Sequence, residues 1–369
     1  MGVLSRRPPP HAAGLQNRTR STRVKELVFQ HLGADMTESR FPMIATPRGW
    51  YAVSLSSELK AGDVQALRYF ERDLVLFRGE NGEANLLDAF CPHLGAHLGH
   101  GGVVEGNCIA CPFHKWEFDG KGDCTKVPYA AKIPVKAKVP AWPVVEKNGF
   151  IFTWFDHEGN PPDWDVPTVP EVEDEEWTDF EVREWKVKSH SVDMGENQVD
   201  VAHFRYLHGT QNYPDSKASI DGHIMRVHSD AGMDTPRGPA DGTIASEAYG
   251  FGFAMVRFTG IVETLLLAVN TPMEQELVHS RFCFMVKKVG GADVTKGVSK
   301  AFISEVSRQF EQDVVIWENK KFVHPPMLCD GDGPIGLYRK WIRQFFPEGT
   351  FANLKLPANP GGPSSVNGG

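Results

Sequence analysis

The chain has 369 residues, 41% hydrophobic and 23% charged, with 36 Gly and 26 Pro, which excludes disordered, collagen-like and coiled-coil classes. The formal net charge of −8 excludes a nucleic-acid binder with a globally basic surface. At roughly 150 residues per domain the length predicts two domains.

Residues 1–46 read as an N-terminal extension. Arg6, Arg7, Arg18, Arg20, Arg23 and Lys25 precede the first acid, Glu26. Such a start has two readings, an organelle transit peptide or a solvated tail, and the run Pro8–Pro10 without an apolar face favours the tail. Six cysteines are too few for a disulfide-framed secreted domain, so a reducing cytoplasm is the expected compartment and soluble behaviour the expected state. The most apolar window, residues 251–269, is interrupted by Arg257 and Glu263, against a membrane span.

Residues 47–160 read as a β-rich domain of short strands, such as 73–77 and 149–154, with Gly-rich turns at 79–82 and 119–122. Inside it Cys91-Pro-His93 and Cys111-Pro-Phe-His114 set one Cys and one His on each of two Pro-bearing loops. Zinc favours C-x2-C or H-x3-H pairs. A Rieske [2Fe–2S] cluster takes its two Cys on one iron and its two His on the other, which suits one of each per loop. The loops therefore predict the cluster ahead of zinc. Cys108 reads as a buried free thiol on a strand, and His97 and His100 as structural or surface residues. The Pro-rich stretch 160–170 reads as the connection between domains, followed by a solvated acidic run, Glu171 to Glu176.

Residues 161–356 read as a second domain of helices and alternating strands. Asn197-x2-Asp200-x2-His203-x4-His208 lays Asn197, Asp200 and His203 along one polar stripe of a helix. His208 lies about 140° further round, so both imidazoles bind one ion only if the helix bends or ends, as Gly209 allows. Non-haem Fe(II) oxygenases use two His and one carboxylate. A helix predicted over 303–320 supplies the acid: Val306, Phe310, Asp313 and Trp317 share its core-facing stripe, whereas Glu305 and Glu311 fall off it. The alternative for Asp313 is half of a buried salt bridge. In the strand 278–286, Val278, Phe282, Phe284 and Val286 share one face. Residues 357–369 read as a disordered tail.

The cluster segment, the Asn-Asp-His-His motif and Glu311-Gln-Asp-Val-Val-Ile-Trp317 together resemble the Rieske-type non-haem iron oxygenases over about residues 49–346. Arg68-Tyr-Phe, the run from Asp88 to Gly99, Val127-Pro-Tyr-Ala and Ala141-Trp-Pro-Val-Val-Glu resemble the steroid branch, which includes 3-ketosteroid 9α-hydroxylase oxygenase components and cholesterol 7-desaturases. The resemblance implies an α+β chain: an N-terminal all-β Rieske domain and a C-terminal helix-grip (START-like) catalytic domain on an antiparallel sheet. It implies that Cys91, His93, Cys111 and His114 hold the [2Fe–2S] cluster and that His203, His208 and Asp313 hold Fe2+. Asn197 would lie near the iron, and Asp200 would link a cluster His of one subunit to an iron-ligand His of the next in a homotrimer. Ala96 and Phe113 stand where respiratory Rieske proteins carry a disulfide, so that bridge is impossible. Lys115 departs from the family's usual Gly and is expected to affect the loop surface more than ligation.

The expected activity is hydroxylation or desaturation of a steroid or sterol with O2. The sequence has no Gly-rich dinucleotide fingerprint, so electrons from NAD(P)H must pass through a separate flavin/iron–sulfur reductase or ferredoxin. Three alternatives stay open: an oxygenase for a non-steroid hydrophobic or aromatic compound, a Rieske electron carrier, and a zinc-stabilised lipid-binding module.

Overall fold

The structure, a computed structural model, describes residues 39–210, 215–235, 238–260, 262–352 and 354. Its first part is all β. Gly49–Leu55 pairs with Phe150–Phe155, which pairs with Val144–Lys147. Val64–Tyr69, Arg72–Arg78, Ala84–Asp88 and Ala141–Trp142 make a second sheet. In a third, Val103–Glu105, Cys108–Ala110, Glu117–Phe118 and Cys124–Lys126, the second Cys/His loop joins the two middle strands. Cys108 lies on a strand as expected, but it is half-buried beside Thr125 rather than buried, because this small sheet has little cover.

The second part rests on a seven-stranded antiparallel sheet. Its order is Glu181–Val187, Leu277–Val286, Thr264–Glu274, Phe253–Phe258, Gly238–Tyr249, Ile224–Thr235 and Asp215–Asp221. Val278, Phe282, Phe284 and Val286 are buried on one face as their alternation predicts. Cys283 and Met285, on the other face, are buried too, in the core shared with the first part. The sheet is thus covered on both sides at this end.

Four helices matter for the site: α1 (Ser191–Glu196), α2 (Ala202–Tyr206), α3 (Ala292–Trp317) and α4 (Ile335–Trp341). Helix α3 crosses the sheet, with Phe310 at 4.6 Å from Trp185 and 4.5 Å from Phe282 between ring centroids. It starts well before the expected Ile303. Its early buried residues are Thr295 and Ser299, which give no apolar stripe to read. It stops before Lys320 because Arg40 Nη1 donates to the carbonyls of Trp317 (3.2 Å), Glu318 (2.7 Å) and Lys320 (3.1 Å), as a helix C-terminus requires.

That contact changes the reading of the extension. From Ser39 the chain is part of the fold, with Phe41 and Met43 fully buried; residues 1–38 and the tail 357–369 lie outside the described residues. The Pro-rich connection is also tied down. Trp164, Val166 and Val169 are buried, and Trp50 Nε1 donates to Trp164 O at 2.7 Å. One hydrophobic core runs through both parts. The hairpin tip at Phe70 and Glu71 locks them further: Phe70 N donates to Pro272 O and Glu71 N to Met273 O, each at 2.9 Å. No helix among the described residues is long and apolar enough to cross a membrane.

Candidate metal centres

The two Cys/His loops are built alike. Cys91 N donates to Ala96 O and Gly95 N to Cys91 O, both at 2.9 Å; Cys111 N donates to Trp116 O (2.8 Å) and Lys115 N to Cys111 O (3.0 Å). Cys91 and Cys111 are buried, whereas His93 and His114 are half-buried. The imidazoles lie 4.7 Å apart between centroids, and His93 stacks on Trp116 at 4.6 Å. Trp116 Nε1 in turn donates to Tyr129 Oη at 2.7 Å, which fixes the ring under the histidine.

The set is therefore split into a thiol pair inside and an imidazole pair outside. Among the described residues, no three of these four bring ligand atoms within 4.8 Å of one another. A tetrahedral zinc ion needs all four closer than that, whereas a two-iron cluster needs two separate pairs. Burial pushes the Cys91 thiol up to about 11, and Cys111 beside it adds to the rise. Thiolates here need a cation to offset their desolvation. His97 and His100 stay outside the pairs, one half-buried and one exposed, as expected.

The second set comes together from two helices and a break. The stripe expected of one helix over 197–203 is not continuous. Helix α1 ends with Asn197 as its half-buried C-cap, and the chain turns through Val199 and Asp200 before α2. Asp200 Oδ1 accepts from Ala202 N (3.0 Å) and His203 N (3.3 Å), a local bond that competes with helix continuation. Helix α2 then ends at Tyr206, and Gly209 takes a φ of +77° just beyond it. These two turns bring His203 and His208 together as a straight helix does not.

His203, His208 and the buried Asp313 of α3 place their ligand atoms within 4.8 Å of one another. The outer nitrogens are occupied: His203 Nδ1 meets Asp200 O at 2.6 Å, and His208 Nδ1 meets Gln312 Oε1 at 3.0 Å. Each contact suits a proton on Nδ1 and leaves Nε2 a lone pair. Asp313 Oδ1 has no hydrogen-bond partner and lies 3.4 Å from His208 Nε2. A buried carboxylate oxygen without a hydrogen-bond partner, beside two imidazole Nε2 atoms, is a set suited to a cation, and either a metal ion or a proton on His208 supplies one. Burial holds His203 below its ordinary value, while at His208 burial is outweighed by Asp313 and Gln312, which raise it. The salt-bridge alternative for Asp313 has no Lys or Arg partner among the described residues.

Three supporting groups escaped the sequence reading. Gln312 sits beside the quoted acid, but its target is set only by the fold. Buried Glu196 of α1 pairs with Arg339 of α4, with one contact at 2.8 Å, and Tyr338 Oη donates to Val192 O at 2.5 Å. Together they clamp α1. His190 caps α1 from inside the core, accepting from Val192 N at 3.1 Å. No spacing rule marks such pairs, which lie more than a hundred residues apart or inside a cap.

Comparison with known proteins gives a family match to each part of the chain. Residues 49–143 match the Rieske [2Fe-2S] domain and residues 153–346 the 3-Ketosteroid 9alpha-hydroxylase C-terminal domain. The chain is 35% identical over 319 residues to a 3-ketosteroid-9-alpha-monooxygenase oxygenase component of Rhodococcus rhodochrous, covering 81% of each. It is 32% identical over 345 residues to the cholesterol 7-desaturase of Caenorhabditis elegans, covering 84% of this chain and 79% of that one. Among solved structures, dicamba monooxygenase bound to 3,6-dichlorosalicylic acid shares the fold, with a TM-score of 0.66 at 19% identity over 80% of this chain and 96% of that one. NdmA of Pseudomonas putida CBB5 with caffeine does so equally, at 0.66 and 21% over 80% and 89%.

Proposed function

This chain belongs to the Rieske-type non-haem iron oxygenases, in the branch of the 3-ketosteroid 9α-hydroxylase oxygenase components, and on that premise we propose that it hydroxylates or desaturates a steroid or sterol. It is an oxidoreductase that takes a [2Fe–2S] cluster and a non-haem iron, with O2 as co-substrate. As an oxygenase component it depends on a separate reductase. When bound, the cluster supplies electrons singly and the mononuclear iron activates dioxygen.

In our reading residues 47–160 carry the cluster and residues 161–356 the catalytic site. Cys91 and Cys111 would hold the cluster from the buried side, and His93 and His114 from the half-buried side, toward an electron donor. The observation that carries the reading is the convergence of His203, His208 and Asp313 in a chain that also pairs two cysteines with two histidines. Two imidazoles and one carboxylate would hold the iron as the set that non-haem Fe(II) oxygenases use. Asn197 closes α1 near that site.

The assembly we infer is a homotrimer packed head to tail. Leu94, Phe113 and Tyr129 are exposed on and beside the cluster loops, and Val315 and Ile316 are exposed on α3 just past Asp313. Two separate apolar patches suit a heterologous contact that closes into a ring. None of the six cysteines is in a disulfide, in keeping with a reducing setting.

The test is product analysis with the purified chain, a surrogate NADH-dependent reductase and a panel of steroids, sterols and aromatic compounds. A hydroxylated or desaturated steroid is expected, abolished by Asp313→Ala with the cluster's visible spectrum kept. Turnover of aromatic compounds alone would sink the steroid assignment. NADH oxidation coupled to product without a reductase would sink the need for a partner.

A further inference from the structure

We infer that Gln312 is a positioning residue for His208, holding its imidazole as an Nε2 ligand for the mononuclear iron. The inference rests on the reading of His203, His208 and Asp313 as the ligand set. It begins from an asymmetry between the two histidines. The acceptor for His203 Nδ1 is a main-chain carbonyl, that of Asp200 at 2.6 Å, which no side-chain substitution removes. The acceptor for His208 Nδ1 is the side-chain carbonyl of Gln312, at 3.0 Å. One imidazole is fixed by the fold itself and the other by a single side chain.

Gln312 and Asp313 are neighbours on α3, yet they address opposite edges of the same ring. Gln312 Oε1 meets Nδ1, and Asp313 Oδ1 stands 3.4 Å from Nε2. The ring is therefore gripped across its width by one helix while its own backbone lies past the end of another. The half-buried amide has a further consequence. With its oxygen toward Nδ1, the imidazole carries its proton there and keeps a lone pair on Nε2. Reversed, the amide would donate to Nδ1 and move the proton to Nε2, where it would block coordination. Only the first orientation serves a metal, and it is the one the fold adopts. Partners of this kind, accepting the N–H behind a ligand imidazole, commonly change metal affinity about 10–100-fold when removed.

The experiment uses the holoenzyme and reads iron retention and spectroscopy rather than turnover. Gln312→Met keeps side-chain length without an acceptor, and Gln312→Glu keeps the acceptor oxygen. Dialysis against a ferrous chelator is followed by iron counted against the cluster's absorbance, and the nitric oxide adduct of the remaining ferrous site is examined by electron paramagnetic resonance. Gln312→Met is expected to weaken iron retention about 10–100-fold with cluster absorbance and Tm unchanged. Gln312→Glu is expected to restore retention, with a changed rhombicity because a carboxylate makes the imidazole a stronger donor. Native retention and a native signal in Gln312→Met would overturn the inference, as would equal iron loss in both variants. If Gln312→Met fails to fold, an unchanged signal in Gln312→Glu overturns it alone. Asp313→Ala separates the two claims: full iron retention there removes the ligand set itself, whereas failure of Gln312 alone leaves the set standing.

Discussion

One backbone position makes the two cluster loops differ in strain. Gly95 and Lys115 occupy equivalent positions, each donating its N–H back to the loop's cysteine carbonyl, with φ of +75° and +59°. Glycine accepts that conformation freely, whereas a side chain there costs about 1–2 kcal/mol. The sequence reading gave Lys115 a surface role, and the backbone adds local strain. Lys115→Gly relieves it, offset in part by the roughly 0.5–1 kcal/mol that glycine's freedom in the unfolded chain costs. A net gain of about 0–1.5 kcal/mol is expected, read as a higher unfolding midpoint with unchanged cluster absorbance. A lower midpoint would mean that the Lys115 side chain contributes more than its backbone loses.

At the scale of elements, the short helix α1 matters because it aims the break that carries Asp200 and His203. It is capped by a histidine with no access to water. His190 Nδ1 accepts from Val192 N, its Nε2 meets Ile44 O at 3.0 Å, and burial holds its pKa down to about 4, against an ordinary 6.5. A depressed histidine favours folding in its neutral form. Its contribution is fully present above pH 6.5 and is lost as pH falls toward 4, by about 3 kcal/mol in total. Stability measured by denaturant between pH 7 and 4 is expected to fall less steeply in His190→Asn, which keeps a capping acceptor without a titrating ring. Identical slopes in the two proteins would remove His190 from the account. The length of α3 teaches a related lesson: a helix whose first buried positions are Thr and Ser leaves no hydrophobic period to count.

At the scale of the whole molecule, the shared core and the buried connection leave little room for the cluster loops to swing toward the iron of the same chain. Electron transfer weakens steeply with distance, and in the homotrimer proposed above a neighbouring copy would be the source. Within one chain Asp200 touches His203 through its carbonyl, while Oδ1 is taken by two N–H groups. In the proposed trimer the second carboxylate oxygen would be the atom that meets His93 or His114 of a neighbouring copy. Asp200→Asn keeps the oxygen that accepts locally and changes the charge and the other carboxylate atom. It is expected to retain both metal centres and the trimer mass by sedimentation, yet to lose single-turnover electron transfer from reduced cluster to iron. An unchanged single-turnover rate, or a fully active monomer, would rule out this route.

How much of this was written in the chain is a question of range. Cys91-x-His93, Cys111-x2-His114 and the alternation at 278–286 are short-range patterns tied to the geometry of a loop or a strand, and a sequence displays them directly. Asp313 was legible because an acid in an apolar helical stripe violates the period around it. The break between α1 and α2 was not, since Asp200 satisfies helical spacing equally well and ends the helix only through its own side-chain bonds. Arg40 on the end of α3, Glu196 with Arg339, and Gln312 behind His208 were hidden for a stronger reason. Their partners are brought near by chain closure, and neither member of such a pair carries a local mark. Local chemistry and periodicity therefore determined the kinds of site and their candidate ligands. Tertiary packing alone decided which backbone and side-chain groups hold those ligands in place.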